Sequence, residues 1–198
     1  NSSIETYDNI DLRRDWTAMV WFRPSDDNNA GVWKILGHGI YATNQGLHVS
    51  GVDGTRLRCG MYGNDIDVST STGLSIRREW MCITFAYFHN KGVAGNWDKM
   101  VYQNERLVGH QQAGIGDGTH FSGVAGGSGS QNGHPPYEAA PTKLRFGANF
   151  GSYNLGEGRL NQSLGPCIFI PRFISRDEVR SLYRFFAIRF PRAGAMDL

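Results

Sequence analysis

The sequence predicts an all-β protein, a two-sheet antiparallel β-sandwich with one short C-terminal helix. Three observations favour this fold class. Apolar and polar residues alternate in many short runs, as side chains do on pleated strands. Glycine is abundant, with 26 residues to supply turns, and a clear helical period occurs only near the C-terminus. Because each amphipathic sheet must cover its apolar face, two facing sheets are the expected arrangement.

Length and charge limit the organisation and the partners of the chain. Its 198 residues suit one sandwich domain over 1–192 with a tail at 193–198, since no Pro-rich or charged run divides it. The net charge of +2 is spread along the chain, which argues against nonspecific binding to nucleic acid. No apolar run reaches the roughly 18 residues of a membrane span. The start at Asn1 suggests a processed product or an excised domain.

Two strands are predicted to form the centre of a sheet. Residues 15–24 are apolar on both faces and end at Pro24, which cannot donate to a sheet ladder. Residues 81–88 have the same two-sided apolarity, so we expect the two strands to be neighbours. Residues 98–109 alternate around the polar break at 103–105, which indicates a strand, a tight turn and a second strand.

Shorter strands are predicted between and after these. Residues 32–36 and 46–52 are interpreted as strands separated by a turn at 37–39 and another at 43–46. An Asp-Gly hairpin at 53–54 leads to a strand that places Leu57, Cys59 and Met61 on one face, and residues 64–69 continue the meander. Further strands are expected at 144–148 and 167–170.

The C-terminal helix has a strong start signal. Ser175 is a good N-cap and Glu178 lies three residues later, as in a capping box. After the helix, residues 186–190 alternate as in a closing strand. The apolar positions that recur with helical spacing are Val179, Leu182, Tyr183 and Phe186.

Residues 123–136 form a segment too rich in Gly and Ser to bury apolar surface, so we predict a flexible insertion. A loop of this length in a compact domain is usually functional or disordered. The three cysteines, Cys59, Cys82 and Cys167, lie in apolar runs without C-x-x-C spacing. Buried free thiols are the favoured interpretation, and one disulfide with a leftover thiol is the alternative.

Several segments together carry a resemblance. Residues 16–24 end in an aromatic residue, a base and a proline, residues 79–85 begin with Glu-Trp, and residues 101–109 read Val-Tyr-Gln-Asn-Glu-Arg-Leu-Val-Gly. With residues 144–149, 164–170 and the helix, they resemble the laminin-G-like, or concanavalin-A-like, lectin and glucanase superfamily. Glu105 stands where that family commonly has Gly. The resemblance implies a jelly roll of two curved sheets, a scaffold that hosts lectins, adhesion modules, glycosidases and virion proteins.

Catalysis is disfavoured by the pattern of carboxylates. Glucanases of this superfamily carry three alternating carboxylates on one strand, because retaining hydrolysis needs a nucleophile and a proton donor roughly 5 Å apart. No glutamate of this chain begins such a ladder. The nearest approach is Asp65 and Asp67, which share a predicted strand face with Ser69; a solvated strand face is the favoured interpretation.

Sugar recognition needs an aromatic face together with amide or carboxylate groups, usually on loops. Packing of these aromatic residues under the long loop is the alternative interpretation. The candidate ligand-binding residues are Trp97 and Asn96, and Phe150 and Tyr153 near Asn149 and Asn154.

A calcium site is a further hypothesis. Some members of the superfamily hold Ca²⁺ at the rim of the sandwich, and Asp26, Asp27 and Asn28 form an oxygen-rich loop of the right chemical type. Ordinary turn residues are the alternative, and they are favoured.

The sequence favours a noncatalytic lectin-like recognition or adhesion module that binds a glycan or protein at a cell surface or in the extracellular space. The alternative is a structural subunit of a virion or surface assembly that associates with its own copies, suggested by the Gly-rich loop and the arginine-rich C-terminal segment. A glycoside hydrolase or lyase is a third, disfavoured hypothesis. The C-terminal arginines are Arg176, Arg180, Arg184, Arg189 and Arg192.

Overall fold

Two antiparallel sheets face each other in the computed structural model, and one helix follows the last strand. The structure describes residues 4–24, 34–40, 42, 45–53, 56–61, 64–69, 79–89, 97–112, 127–128, 139–147 and 162–188. Within these ranges one sheet has seven strands and the other has five. The predicted fold class, a mostly β sandwich with a C-terminal helix, is confirmed.

The strands are numbered in chain order. The elements are β1 (Ile4–Glu5), β2 (Trp16–Pro24), β3 (Lys34–Gly39), β4 (Gly46–Asp53), β5 (Arg56–Met61), β6 (Asn64–Ser69), β7 (Met81–His89), β8 (Trp97–Gln103), β9 (Arg106–Gln112), β10 (Gly127–Ser128), β11 (Arg145–Phe146), β12 (Gln162–Ile170) and α1 (Arg176–Ala187). The larger sheet has the order β1-β11-β3-β4-β5-β6-β10, and the smaller sheet has the order β12-β2-β7-β8-β9. Consecutive strands pair as a meander from β3 to β6 and again from β7 to β9.

The two strands predicted as central neighbours do pair. Val20 on β2 lies opposite Ile83 on β7, and each residue is only 2% exposed. Both strands are apolar on two faces because one face contacts the larger sheet and the other lies beneath the helix. The smaller sheet is therefore buried on both sides where β2 and β7 run.

Two apolar clusters result from this arrangement. The first fills the space between the sheets and includes Trp16, Val20 and Phe85. The second lies between the outer face of the smaller sheet and α1, where Trp21 and Val179 are buried. The rings of Trp21 and Phe186 lie 5.1 Å apart, so the helix packs directly on β2.

The predicted hairpin is confirmed as β8 and β9. Gln103 pairs with Arg106, and Asn104 in the turn has a left-handed φ of 57°. The Asn104 backbone N–H donates to the Cys82 carbonyl at 2.7 Å, and its side-chain Oδ1 accepts from the Cys82 N–H at 3.0 Å. Asn104 thereby extends the ladder of β7 by one residue, which binds the turn to the neighbouring strand.

The helix begins as predicted. The Ser175 hydroxyl accepts from the Glu178 N–H at 3.3 Å, and the Glu178 carboxylate accepts from the Ser175 N–H at 2.8 Å, which completes the capping box. The expected closing strand from residue 186 is wrong for residues 186–188. Phe186 continues the helix because its ring packs against Trp21, and Ile188 is the helical C-cap, 84% exposed. Residues 189–190 lie outside the described residues.

The predicted turn at 37–39 is also wrong, because these residues belong to β3. Gly37 pairs with His48 on one side and with Arg145 on the other. His38 is buried on the inner face, where its Nε2 lies 2.8 Å from the Ile10 carbonyl oxygen. At this distance the ring N–H donates to that carbonyl. Burial lowers the pKa of His38, so the neutral ring fits this site.

The thiols and part of the Gly-Ser segment lie within the described residues. Cys59 and Cys82 are buried free thiols, as expected, and Cys167 is a half-buried free thiol. In the Gly-Ser segment, Gly127–Ser128 pairs with β6 as a short edge strand; flexibility of the remainder stays a prediction, because its other residues lie outside the described residues. No helix in the described part of the chain has the length and apolarity of a bilayer span.

Candidate functional site

The binding residues predicted from the sequence fall largely outside the described residues. Asn96, Asn149, Phe150, Tyr153 and Asn154 are among these, and so is the candidate calcium loop of Asp26, Asp27 and Asn28. Trp97 is the first residue of β8 and pairs with His89. Their roles in ligand and metal binding stay predictions. Within the described ranges, no group of three or more His, Cys, Asp or Glu side chains could hold a metal ion.

A line of residues that are polar except for two glycines crosses the outer face of the larger sheet at right angles to the strands. It takes one residue from each strand, and we call it the transverse polar row. The row lies on the outer face because side chains alternate between the two faces of a strand. The chain neighbours of its members, such as Val49 and Ile66, belong to the core between the sheets. In spatial order the row consists of Glu5, Arg145, Gly37, His48, Gly60, Asp65 and Ser128.

Glycine determines which members of the row can meet. Gly60 lies between His48 and Asp65 and has no side chain, so the imidazole reaches across it and its Nε2 lies 3.3 Å from Asp65 Oδ1. His48 is only 6% exposed although it points away from the core. At the other end, Arg145 Nε lies 2.6 Å from Glu5 Oε1. The row therefore contains one ion pair, between Arg145 and Glu5, and one imidazole–carboxylate contact, between His48 and Asp65, and both join neighbouring strands.

The carboxylates considered as a catalytic pair are both held by bases. Arg58 makes two hydrogen bonds of 2.7 Å to the two carboxylate oxygens of Asp67, and its Nε lies 3.9 Å from Asp65 Oδ2. Burial would raise the pKa of Asp65, but the hydrogen bond and charge of His48, with Lys99 and Arg58, bring it below its ordinary value. A general acid needs a raised pKa. Asp65 is therefore suited to an ion pair rather than to proton donation.

Lys99 is a buried cation that the sequence analysis did not single out. It is 0% exposed and shares the inner face of β8 with Val101, between the two sheets. Burial lowers its pKa to about 7, although the charge of Asp65 and the thiol of Cys59 oppose this change. The sequence could have indicated the burial of Lys99, because alternation along the strand places residue 99 on the same face as the apolar residue 101. At neutral pH this side chain is balanced between its charged and neutral forms.

Comparison with known proteins adds evidence on the fold. No protein-family model and no curated protein matches the chain. Among solved structures, a chain described as HCR/D-Sa-GBL1/C matches with a TM-score of 0.54 and 11% identity, over 88% of this chain and 37% of that chain. The binding domain of botulinum neurotoxin serotype C1 matches with a TM-score of 0.50 and 11% identity, over 88% and 37%.

A third match is a structure of botulinum neurotoxin type C whose cell entry is described as dependent upon interaction with two ganglioside molecules. Its TM-score is 0.51 at 13% identity, and the match covers 88% of this chain and 36% of that one. The present chain thus spans a little over a third of the length of these matched chains. At this level of identity the likeness shows a common sandwich fold.

Proposed function

We propose that this chain is a noncatalytic recognition module with a concanavalin-A-like jelly roll, and that it binds a glycan or a protein at a surface. The observation that carries the proposal is the fold likeness to neurotoxin binding domains, over 88% of the chain. One of the matched proteins is described as interacting with gangliosides, which are glycan-bearing lipids. An extracellular or surface-exposed location follows as part of the same proposal.

The ion pairs of the larger sheet support recognition over hydrolysis. A retaining or inverting glycosidase needs one carboxylic acid that keeps its proton near neutral pH. Asp65 has a lowered pKa, and Asp67 is held by Arg58 through two short hydrogen bonds. Two carboxylates engaged in this way stabilise strand pairing between β4, β5 and β6. They are poor candidates for the general acid.

Glycan-array binding tests the proposal. We expect saturable binding to a subset of glycans, weakened in Trp97→Ala and in Tyr153→Ala, the aromatic candidates from the sequence. Phe185→Ala is the matched control, because Phe185 is a 58% exposed aromatic residue on the helix. An array without signal above the background of a denatured sample would contradict glycan recognition. Loss of binding in the control variant as well would point to unfolding.

Two further measurements separate the other hypotheses. Closed shells, rings or filaments in light scattering or electron microscopy would favour the assembly subunit over the recognition module. Release of reducing sugar from a polysaccharide panel would favour the hydrolase. If that release survived in Asp65→Asn and Asp67→Asn, these carboxylates would be excluded as its catalytic groups. We expect neither assembly nor sugar release.

A further inference from the structure

The segment that follows β1 exposes the side chain of Tyr7 to solvent, while hydrogen bonds anchor its backbone. Tyr7 is 92% exposed and lies on a bend between Thr6 and Asp8. The Thr6 N–H donates to the Leu144 carbonyl at 2.9 Å, and the Leu144 N–H donates to the Thr6 hydroxyl oxygen at 3.0 Å. The same hydroxyl donates to the Asp8 carbonyl at 2.8 Å, which closes the bend. Tyr7 thus projects from a fixed position.

The downstream end of the bend is anchored to the same partner segment. The Ile10 N–H donates to the Thr142 carbonyl at 2.7 Å, and the Thr142 hydroxyl accepts from the Gly39 N–H at 3.2 Å. Residues 6–10 and 142–144 are therefore joined on both sides of Tyr7. Little backbone entropy remains to be lost when a ligand contacts the exposed ring, which favours binding.

Lys143, the residue between the two anchors on the partner segment, places a cation at this ring. Its Nζ lies 5.5 Å from the centroid of the Tyr7 ring, within the range of a cation–π contact. Two of the neighbouring acids belong to other pairs, since Glu5 binds Arg145 at 2.6 Å and Asp11 binds Arg13 at 2.8 Å. The third, Asp8, follows Tyr7 in the bend, where its backbone carbonyl accepts from the Thr6 hydroxyl. The ammonium of Lys143 thus lies over one face of the ring of a residue that is almost fully exposed to solvent.

We propose that Tyr7 and Lys143 form a contact site for a sugar that carries a carboxylate, such as a terminal sialic acid. The apolar C–H face of a pyranose stacks on an aromatic ring, and the ammonium pairs with the carboxylate of the sugar. A neutral sugar uses only the first contact, and a simple anion uses only the second. The combination therefore selects an acidic sugar over both.

This inference rests on the proposed function, and it names a place and a ligand class for it. The site lies at the junction of the segment after β1 with residues 142–144. It is distinct in sequence from the aromatic candidates Trp97, Phe150 and Tyr153. If glycan binding resides at those residues instead, the recognition proposal survives while the present inference fails.

Titration with sialyllactose and with lactose tests the site, because the two probes differ by the carboxylated sugar. We expect the chain to bind sialyllactose and to bind lactose at least tenfold more weakly. Tyr7→Ala should weaken sialyllactose binding roughly tenfold or more, whereas Tyr7→Phe, which keeps the ring, should preserve it. Lys143→Met should remove the preference for sialyllactose over lactose, and Lys143→Arg should retain it.

Tyr7 is exposed and Lys143 is half-buried, so these variants should fold, and unchanged thermal unfolding midpoints check this. Phe185→Ala serves again as the exposed aromatic control. Sialyllactose binding that is unaffected by Tyr7→Ala and Lys143→Met overturns the site but leaves the recognition proposal intact. Equal affinity for lactose overturns the acidic ligand class. Absence of binding to these probes and to every glycan of an array overturns the inference together with glycan recognition.

Discussion

At the scale of single residues, the burial and the hydrogen bonding of two polar side chains depend on residues that are distant in the sequence. Lys99 is buried between the sheets, and Asn104 replaces a strand residue in the ladder of β7. The spacing of the sequence identifies the faces of these residues but not their neighbours. A lysine at residue 99 is ordinary in an exposed hairpin, and only the second sheet makes it unusual.

Lys99 should make the free energy of unfolding rise with pH. Its folded pKa of about 7 lies below the ordinary value of 10.5. Between these values the unfolded chain binds more protons, so stability increases as pH rises. From pH 7 to about 8.5 the gain should be on the order of 1–2 kcal/mol, before cysteines titrate in the unfolded chain.

Urea unfolding at several pH values between 7 and about 8.5 measures the slope of the free energy of unfolding against pH. Lys99→Met should flatten it, because the titrating group is removed while the volume of the side chain is retained. Lys143→Met, which alters a half-buried lysine outside the core between the sheets, should keep the wild-type slope. Identical slopes for the wild type and Lys99→Met would contradict the assignment.

Asn104 should be more costly to replace by alanine than by glycine. Asn104→Ala loses the hydrogen bond to the buried Cys82 N–H and places alanine at a φ of 57°. We expect a loss of about 2–4 kcal/mol, of which roughly 1–3 kcal/mol is the unpaired N–H. Asn104→Gly keeps the turn unstrained and loses only the bond. Equal losses in urea unfolding for the two variants would show that the turn conformation contributes nothing.

At the scale of elements, local signals were predictable and nonlocal ones were not. The capping box at Ser175 and Glu178 depends on four consecutive residues, so the sequence predicts where the helix begins. Its end depends on Trp21, which is far away in the chain, and the alternation at 186–190 therefore predicted a strand incorrectly. In the same way, glycines at 37 and 39 indicate a turn until pairing with β4 and β11 is known.

The site was predictable to a smaller extent. Asp65 and Asp67 were identified by their shared face, but their partners His48 and Arg58 come from two other strands. Register between strands is set by packing across the whole sheet, which no local pattern contains. Tyr7 was not singled out from the sequence, because the anchoring of its backbone depends on hydrogen bonds to residues 142–144. The ligand-binding roles of Trp97 and Tyr153 remain predictions.

The capping box makes a testable contribution to helix docking. Ser175→Ala should lower the free energy of unfolding by about 1 kcal/mol, because the Glu178 N–H loses its acceptor. Ser181→Ala is the matched control on the same helix. The Ser181 hydroxyl donates to the Asp177 carbonyl on the exposed side of the helix. Its removal should therefore change the free energy of unfolding by less than about 0.5 kcal/mol. Equal effects in thermal unfolding would argue against the cap.

Contact between the sheets restricts Gly109 on β9. A Cβ at this position would lie 3.0 Å from a methyl group of Ile66 and 3.0 Å from a methyl group of Val68, both fully buried. Gly109→Ala should therefore cost about 1–3 kcal/mol through overpacking. The added change Val68→Ala removes one of the two methyl groups. In a urea double-mutant cycle, the pair should lose less than the sum of the single losses, and simple additivity would contradict the steric explanation.

At the scale of the whole molecule, the smaller sheet lies between two apolar layers. Cys59 lies in the layer between the sheets, and Cys82 lies in the layer under the helix. Because β2 and β7 contribute to both layers, we expect the layers to unfold as one cooperative unit. The molecule would then behave as a single domain, as its composition suggests.

Thiol labelling across a urea series tests this expectation. With Cys167→Ser to remove the half-buried thiol, Cys59 and Cys82 should react with the same urea midpoint. Peptide mapping of the labelled sites distinguishes the two cysteines. Both should be protected in the native state, where burial raises the pKa of each thiol. Earlier labelling of Cys82 alone would show that the helix separates before the sandwich opens.

Within the residues that the structure describes, both borders of the larger sheet are strands of two residues, Ile4–Glu5 and Gly127–Ser128. A long unpaired border offers a row of amide and carbonyl groups on which another molecule can add a strand, and such addition propagates into fibrils. Two residues offer too few groups for this, so concentrated solutions of the chain should resist aggregation that starts from this layer. Proteolytic trimming beyond Glu5 would leave Arg145–Phe146, an equally brief strand, as the next border.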